Sequence, residues 1–339
     1  MNIFIRVDAS IEIGTGHVLR CLTLAHRLKK EGKQVAFICR GAEGDCIELI
    51  EKQGFQVYKL KSILGSLWTY VADYWERDVK ETIDVLKQHE VEKLIIDHYS
   101  IDIKWEQATR PFTKEIIIID DLANRKHDCD TLLDQNFYLN METRYKGLVS
   151  STTNLVLGPT YALLREEFIE AKKNLKAFSG KLERLFIFFG GSDPTNETEK
   201  ILYSIMPLIE KYNFEVDVVV GNSNQNKKRI KDISLTNKNI NFYCQINNIA
   251  ELMAKADIAI GAGGATTWER VFLGLPSIVI AVAMNQVEVA KAVANMGAII
   301  YLGVSNEVNG NQVLENLELL YRDSDELSRI RKSCFNLIS

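Results

Sequence analysis

One histidine of the chain stands where it could act as a general base. His17 follows the turn Gly14-Thr15-Gly16, between an apolar run at residues 3–7 and an amphipathic stretch at residues 18–30. Glycines let the backbone approach a ligand, and a helix N-terminus offers free N–H groups and partial positive charge. That terminus also favours the neutral imidazole, the form that accepts a proton. The turn therefore predicts either a catalytic base or a histidine that only packs the turn.

Two more glycine-rich turns follow apolar runs in the second half. Gly190-Gly191-Ser192-Asp193 comes directly after the run at 185–189. Gly261-Ala262-Gly263-Gly264-Ala265-Thr266-Thr267 follows residues 257–260 and precedes Trp268-Glu269-Arg270. Each turn can form an anion cradle from N–H groups at a helix start. Asp193 can equally cap a helix over residues 194–210, with Pro194 in its first turn.

Three polar clusters are weaker candidates for a functional site. Asp97-His98-Tyr99 ends an apolar run and either faces a ligand or supplies a cap and a packed aromatic ring. His127-Asp128-Cys129-Asp130 contains four side chains that can ligate a metal, but adjacent residues rarely converge on one ion and no second cluster has zinc-site spacing. Asp120-Asp121 either holds Mg²⁺ or caps a strand end. We expect no metal and no cofactor.

Alternating apolar and amphipathic stretches must position these residues. The predicted strands of the first half are 3–7, 35–39, 55–60, 93–97 and 115–120, with helices at 18–30, 45–53 and 78–89. The predicted strands of the second half are 185–189, 216–220, 240–243, 257–260, 277–282 and 298–302. Strands separated by helices indicate a parallel sheet wound on both sides, with ligands beyond the carboxyl ends of the strands.

The length and composition fit two α/β domains. A chain of 339 residues exceeds the size at which one core usually stops growing, so we expect domains at residues 1–170 and 171–339. The net charge of −4 argues against a nucleic-acid binder. The six cysteines are scattered, the N-terminus does not resemble a signal peptide, and no apolar stretch is long enough for a membrane span. These features predict a cytoplasmic protein.

Several motifs together resemble the UDP-sugar hydrolases of the pseudaminic acid pathway, especially their spore-coat polysaccharide branch. In chain order they are Arg6-Val7-Asp8-Ala9-Ser10, Ile13-Gly14-Thr15-Gly16-His17, Arg20-Cys21, Ile95-Ile96-Asp97-His98-Tyr99, Ile119-Asp120-Asp121-Leu122-Ala123, His127-Asp128-Cys129-Asp130, Leu133-Asp134-Gln135-Asn136 and Gly158-Pro159-Thr160-Tyr161-Ala162-Leu163-Leu164-Arg165-Glu166-Glu167-Phe168. The turn from Gly263-Gly264 to Glu269 resembles the lipid-II-forming N-acetylglucosaminyltransferases of the same superfamily.

The resemblance implies a GT-B-like fold, in which two doubly wound Rossmann-type domains flank a cleft that binds a UDP-sugar. It implies that His17 is the catalytic base, that Tyr99 faces the substrate as a second catalytic residue, and that Glu269 holds the ribose hydroxyls. The other residues expected to bind substrate are Gly14, Gly16, Arg20, Asp97, Arg165, Gly190, Gly191, Asp193, Gly263, Gly264, Thr266 and Thr267. Some relatives have Asn where this chain has Trp268, which leaves the shape of that pocket open.

The implied reaction is hydrolysis of UDP-2,4-diacetamido-2,4,6-trideoxy-β-L-altrose or a similar UDP-sugar. Water, deprotonated by His17, attacks the anomeric carbon with inversion, and backbone N–H groups stabilise the departing UDP. A glycosyltransferase would place an acceptor hydroxyl where this enzyme places water. A noncatalytic nucleotide-sugar-binding protein would bind UDP without turnover. These two alternatives remain open from sequence.

Overall fold

The computed structural model describes residues 2–175 and 178–338, which form two compact units. Unit 1 consists of Met1–Asn136 and Asn140–Leu163, and unit 2 consists of Phe137–Leu139 and Leu164–Ser339. The sequence places the boundary later, after residue 170. The difference arises at Phe168, whose side chain is fully buried in the same apolar cluster as Phe186 and Leu273 of unit 2.

The described part of unit 1 is a seven-stranded sheet with helices on both sides. Its strands are β1 (Asn2–Val7), β2 (Gln34–Arg40), β3 (Gln56–Leu60), β4 (Val91–Asp97), β5 (Glu115–Ile119), β6 (Thr131–Asp134) and β7 (Asn154–Leu157). Its helices are α1 (Gly16–Lys30), α2 (Ile47–Lys52), α3 (Leu67–Asp73), α4 (Trp75–Leu86) and α5 (Ile103–Thr109), with short 3₁₀ turns at Arg110–Phe112 and Pro159–Tyr161. The strand order is β3-β2-β1-β4-β5-β6-β7, with every pair parallel.

The central strand β1 shows why both faces of this sheet are covered. Ile3, Ile5 and Val7 pack into one apolar cluster together with residues of α1. Phe4 packs into a second cluster together with Trp105 of α5. Because alternate side chains of a strand point to opposite faces, a strand with apolar residues at both odd and even positions needs an apolar partner on each side.

The described part of unit 2 repeats this arrangement with six strands. Its strands are β8 (Arg184–Phe188), β9 (Glu215–Val220), β10 (Ile240–Cys244), β11 (Ile258–Ala262), β12 (Ser277–Ala281) and β13 (Ile300–Val304). Its helices are α6 (Glu166–Lys173), α7 (Glu197–Tyr212), α8 (Lys227–Ser234), α9 (Ile249–Lys255), α10 (Thr266–Leu273), α11 (Val287–Asn295), α12 (Gly310–Arg322) and α13 (Ser324–Ile338), with a 3₁₀ turn at Met284–Gln286. The strand order is β10-β9-β8-β11-β12-β13, and all pairs are parallel.

Both sheets follow the strand order of a Rossmann fold, in which the first strand lies beside the fourth. The connection direction reverses between these two neighbours, β1 and β4 in unit 1 and β8 and β11 in unit 2. Such a switch point leaves a crevice beyond the carboxyl ends of the strands, where ligands of this fold bind. The predicted fold of two doubly wound parallel sheets is confirmed.

The structure corrects several predicted elements. Strands β6 and β7 and helices α3 and α5 were not predicted, because each is short. The helix predicted over residues 194–210 begins at Glu197, since Asn196 has a left-handed backbone that a helix cannot continue through. Asp193 nevertheless accepts hydrogen bonds from the N–H groups of Glu197 and Thr198, at 2.9 Å each. Within residues 2–175 and 178–338, no helix combines the length and apolar character needed to cross a membrane.

Candidate active site

His17 lies at the switch point of unit 1. It is the second residue of α1, and its ring Nδ1 lies 2.6 Å from Oδ1 of Asp97, the last residue of β4. The two residues are 80 positions apart, and they meet because β1 and β4 are neighbours. Only 8% of His17 is exposed, and its ring meets that of Tyr99 edge-on at a centroid distance of 4.5 Å.

Asp97 fixes which nitrogen of His17 carries the proton. Arg20 Nε and Nη2 donate to the two oxygens of Asp97, each at 2.6 Å. Burial by itself would raise the pKa of Asp97, but Arg20 and His17 outweigh it and hold that pKa well below its usual value. In the neutral ring with its proton on Nδ1, that N–H donates to the ionised carboxylate, and Nε2 is the nitrogen that can take a proton from water or substrate.

A second carboxylate, Asp121, completes this network. Arg20 Nη1 donates to Oδ2 of Asp121 at 2.9 Å, and the hydroxyl of Tyr99 donates to Oδ1 at 2.5 Å. Burial, followed by the charge of Asp121, raises the pKa of Tyr99 far above its usual value. The hydroxyl of Tyr99 therefore keeps its proton and donates it to Asp121. From sequence, Asp121 was interpreted as a magnesium ligand or as a cap at a strand end, and its contacts with Arg20 and Tyr99 were not predicted.

Trp68 on helix α3 also contacts this network and was not predicted as a site residue. Its ring stacks on that of Tyr99, with centroids 5.4 Å apart and planes 16° apart, and meets His17 edge-on at 6.1 Å. Ser66 caps α3 and also donates to Glu12, which joins this helix to the glycine turn. The one sequence signal for this aromatic cluster is that the stretch before α4 contains aromatic residues. This stretch has no periodic or glycine-based pattern to mark it.

The turn before α1 has the shape of an anion site. Gly14 has a backbone φ of +76°, and its N–H donates to Ser10 O, which closes the turn. In the part of the chain that the structure describes, the N–H groups of Gly16, His17 and Val18 have no hydrogen-bond partner. A helix start with unpaired N–H groups attracts negative charge.

The candidate metal clusters are divided among separate ion pairs. His127 Nδ1 lies 2.6 Å from Glu106, whereas Asp128 and Asp130 pair with Arg110. Asp120 pairs with Arg125 Nη1 at 2.7 Å and Asp121 with Arg20, so the two adjacent acids do not share a site. Across the described ranges, no group of three or more His, Cys, Asp and Glu side chains is arranged to hold a metal ion.

In unit 2, Glu269 occupies the first turn of α10. Its Oε1 accepts a hydrogen bond from Arg165 Nε at 2.9 Å, 104 residues away along the chain. Among the described residues, its buried Oε2 has no hydrogen-bond partner. Burial raises the pKa of Glu269, and the charge of Arg165 opposes that rise. One oxygen is thus held in place while the other can accept from a ligand hydroxyl.

The glycine turn between β11 and α10 is hydrogen-bonded to the side chain of Gln286. The side chain of Gln286 accepts the N–H of Gly263 at 3.2 Å, so that N–H is already occupied. The N–H groups of Gly264, Ala265 and Thr266 have no partner among the described residues. Three N–H groups at the start of α10 therefore remain for an anion.

The turn after β8 lies beside this one, because β8 and β11 are paired. Gly190 has a φ of +91°, and Gly191 is exposed. A Cβ on Gly221 would meet Gly191 O at 2.2 Å, so the two turns of β8 and β9 pack backbone to backbone. Each carboxylate oxygen of the buried Asp193 accepts a hydrogen bond from an N–H group of α7.

Sequence and structure comparisons agree with this architecture. The family model of the glycosyltransferase family 28 C-terminal domain matches residues 185–335. Among solved structures, MurG of Acinetobacter baumannii superimposes with a TM-score of 0.66 at 14% identity, covering 98% of this chain and 94% of that one. A UDP-GlcNAc 2-epimerase of Neisseria meningitidis, bound to UDP-GlcNAc, gives a TM-score of 0.65 at 14% identity over 98% of this chain and 94% of that one. These similarities show the fold.

Three curated proteins are related in sequence. An uncharacterized protein of Methanocaldococcus jannaschii is 30% identical over 83% of this chain, which spans only 55% of that protein. Spore coat polysaccharide biosynthesis protein SpsG of Bacillus subtilis is 22% identical over 91% of this chain and 85% of its own length. The UDP-2,4-diacetamido-2,4,6-trideoxy-β-L-altropyranose hydrolase of Campylobacter jejuni is 31% identical over 88% of this chain and 97% of its own length. The chain therefore belongs to the family of this hydrolase and is an enzyme of the glycosyltransferase-like superfamily.

Proposed function

We propose that this enzyme hydrolyses a UDP-activated amino-deoxy sugar to UDP and the free sugar. The observation that carries the proposal is the orientation of His17, whose Nδ1 lies 2.6 Å from Oδ1 of the ionised Asp97, so that Nε2 of the neutral ring is the proton acceptor. The name of the Campylobacter relative supports water as the nucleophile and a 2,4-diacetamido-2,4,6-trideoxy sugar as the substrate class. The name of the Bacillus relative supports a role in making a surface polysaccharide.

In the proposed reaction, unit 1 acts on the sugar. Water attacks the anomeric carbon and gives a proton to His17 Nε2, while the bond from that carbon to the diphosphate oxygen breaks. The leaving UDP takes the electron pair of that bond, and the anomeric configuration inverts because water attacks from the face opposite UDP. Arg20 and Tyr99 hold the base and its carboxylates in place, and a positioned base contributes roughly 10²–10⁴-fold to rate.

Unit 2 holds the nucleotide in this proposal. The unpartnered Oε2 of Glu269 accepts the ribose hydroxyls, and Arg165 fixes the carboxylate. The N–H groups of Gly264, Ala265 and Thr266, with those of Gly190 and Gly191, stabilise the charge that develops on UDP. We propose that no metal takes part, because these groups can neutralise a diphosphate by themselves.

A glycosyltransferase is the second candidate. The fold is similar to that of MurG, the family 28 C-terminal domain model matches this chain, and the exposed apolar side chains of unit 1 include Ile11, Leu19 and Leu64. Exposed apolar residues can form the binding surface for a lipid or a partner. A transferase needs an added acceptor for UDP release, whereas a hydrolase does not.

The deciding experiment follows UDP-sugars by NMR in the presence and absence of candidate acceptors. The hydrolase proposal expects UDP and free sugar without an acceptor, with the inverted anomer formed first. His17→Ala should lose roughly 10²–10⁴-fold in turnover. His26→Ala is the matched control, because His26 lies on the same helix and contacts Gln53 instead of Asp97. Release that depends on an acceptor would establish the transferase, and UDP binding without any turnover would leave only a binding protein.

A further inference from the structure

The guanidinium of Arg270 is buried inside the turn that precedes its own helix. Only 1% of the residue is exposed. Nη2 donates to Ala262 O at 2.8 Å and to Thr267 Oγ1 at 3.1 Å, and Nη1 donates to Thr266 Oγ1 at 3.2 Å. One side chain therefore joins the end of β11 to the first turn of α10 and fixes the shape of the glycine turn.

Among the described residues, the guanidinium of Arg270 makes no direct ion pair with a carboxylate, although the nearby charge of Glu269 raises its pKa. The other deeply buried arginines, Arg6, Arg20 and Arg40, each have carboxylate oxygens at 2.6–2.9 Å. Among the described residues, Arg270 has no ion pair, and Glu269 beside it is paired with Arg165 instead. The buried Nε of Arg270 has no hydrogen-bond partner among them either.

A buried charge without a direct ion pair is costly, so its persistence needs a reason. Burial lowers the pKa of Arg270 to about 10, which still leaves the side chain charged at neutral pH. The unpaired N–H groups of Gly264, Ala265 and Thr266 add partial positive charge at the same turn. A ligand with two or more negative charges would balance all of these groups.

The hydrogen bonds of Arg270 also set the direction of a hydroxyl. Because Nη1 donates to Thr266 Oγ1, that oxygen acts as an acceptor toward the guanidinium, and its own proton is left to point elsewhere. Thr266 is partly exposed, so its hydroxyl can donate to a phosphate oxygen. The turn thus offers one hydroxyl and three N–H donors in front of a buried cation.

We propose that Arg270 is a positioning residue that supplies the counter-charge for the diphosphate of the nucleotide. Arg270 holds the glycine turn in shape and attracts the diphosphate through its positive charge, and it does not need to touch the ligand. This proposal rests on the proposed binding of UDP by unit 2 and adds the group that makes that binding depend on phosphate charge. The expected signature is an affinity loss that grows with the number of phosphates.

The test measures the dissociation constants of uridine, UMP and UDP for the wild type and for Arg270→Gln, which keeps N–H donors but removes the charge. At the effective dielectric near a protein surface, a unit charge about 8 Å from a phosphate changes affinity by on the order of tenfold. We expect a loss of at least this size for UDP, a smaller loss for UMP and almost none for uridine. Arg270→Lys should lose less for UDP, because it keeps the charge.

Arg331→Gln is the matched control, since Arg331 belongs to unit 2 but donates to Gly274 O at the other end of α10. It should leave all three affinities unchanged. Equal losses for uridine and UDP in Arg270→Gln would show that Arg270 only holds the fold, and unchanged UDP affinity would exclude any charge effect. Either result overturns this proposal and leaves UDP binding intact. If the Gln variant does not fold, the Lys variant is used instead. Its losses of affinity should be smaller but follow the same order, with UDP losing most and uridine least. Absence of binding by the wild type itself would overturn the nucleotide site, and this proposal with it.

Discussion

Replacing Asp97 by Asn tests the orientation of the catalytic base without touching the base. The carboxylate accepts from His17 Nδ1, Arg20 Nη2 and Arg20 Nε, each at 2.6 Å. An amide has only one acceptor oxygen. When its NH₂ group faces His17, Nδ1 must accept a proton instead of donating one, and Arg20 Nη2, already 3.1 Å away, can donate to it as well. The ring proton then moves to Nε2, and the base is lost.

The size of the effect follows from these contacts. Loss of the base should lower turnover by roughly 10²–10⁴-fold, a barrier increase of about 3–5 kcal/mol. Breaking a buried ion pair from one side also costs about 3–5 kcal/mol of stability. Arg20 keeps Asp121 as a partner, so the loss of stability should lie toward the lower end.

The assay is UDP release at saturating UDP-sugar, corrected for the folded fraction from thermal melts. Asp217→Asn is the control, because Asp217 is equally buried and paired with Arg184 but lies in unit 2, on β9. It should melt earlier than the wild type and turn over normally per folded molecule. A folded Asp97→Asn protein with turnover within threefold of wild type would refute the assignment of Nε2 as the proton acceptor.

Four further predictions concern nucleotide binding and turnover. Glu269→Ala should weaken UDP binding about ten- to a hundredfold in calorimetry, since a hydrogen bond to a charged group contributes about 1.5–3 kcal/mol. As the pH falls, protonation of Glu269 should weaken uridine binding. Because burial raises the pKa of Glu269, this weakening should begin at a higher pH than it would with a glutamate of ordinary pKa. Glu269→Gln should lack this pH dependence. Trp68→Ala should reduce turnover about two- to tenfold by removing the ring stacked on Tyr99, and Trp68→Phe should restore most of it. Activity should survive EDTA, and a complete loss restored by Mg²⁺ would bring back Asp120 and Asp121 as ligands.

Much of the fold could be predicted because its signals are local. Apolar runs such as residues 185–189 can be recognised without knowledge of their neighbours, and all six strands of unit 2 were predicted within a few residues of their observed bounds. Strands β6 and β7 have only four residues each, too few for a periodic pattern to stand out. The start of α7 was wrong because the left-handed backbone at Asn196 is not visible in a cap-and-proline pattern.

The sequence by itself determined which turns are rich in glycine, which strands they follow, and that His17 and Glu269 stand at helix starts. These facts depend on neighbours along the chain. Tertiary structure alone decided the partners: His17 with Asp97, Glu269 with Arg165, and Trp68 against Tyr99. The strand order brings residues 80 positions apart within hydrogen-bond distance, and no local pattern encodes that order. The same holds for Arg270, because the partners of its buried guanidinium are set by the packing of the turn around it and not by a local pattern.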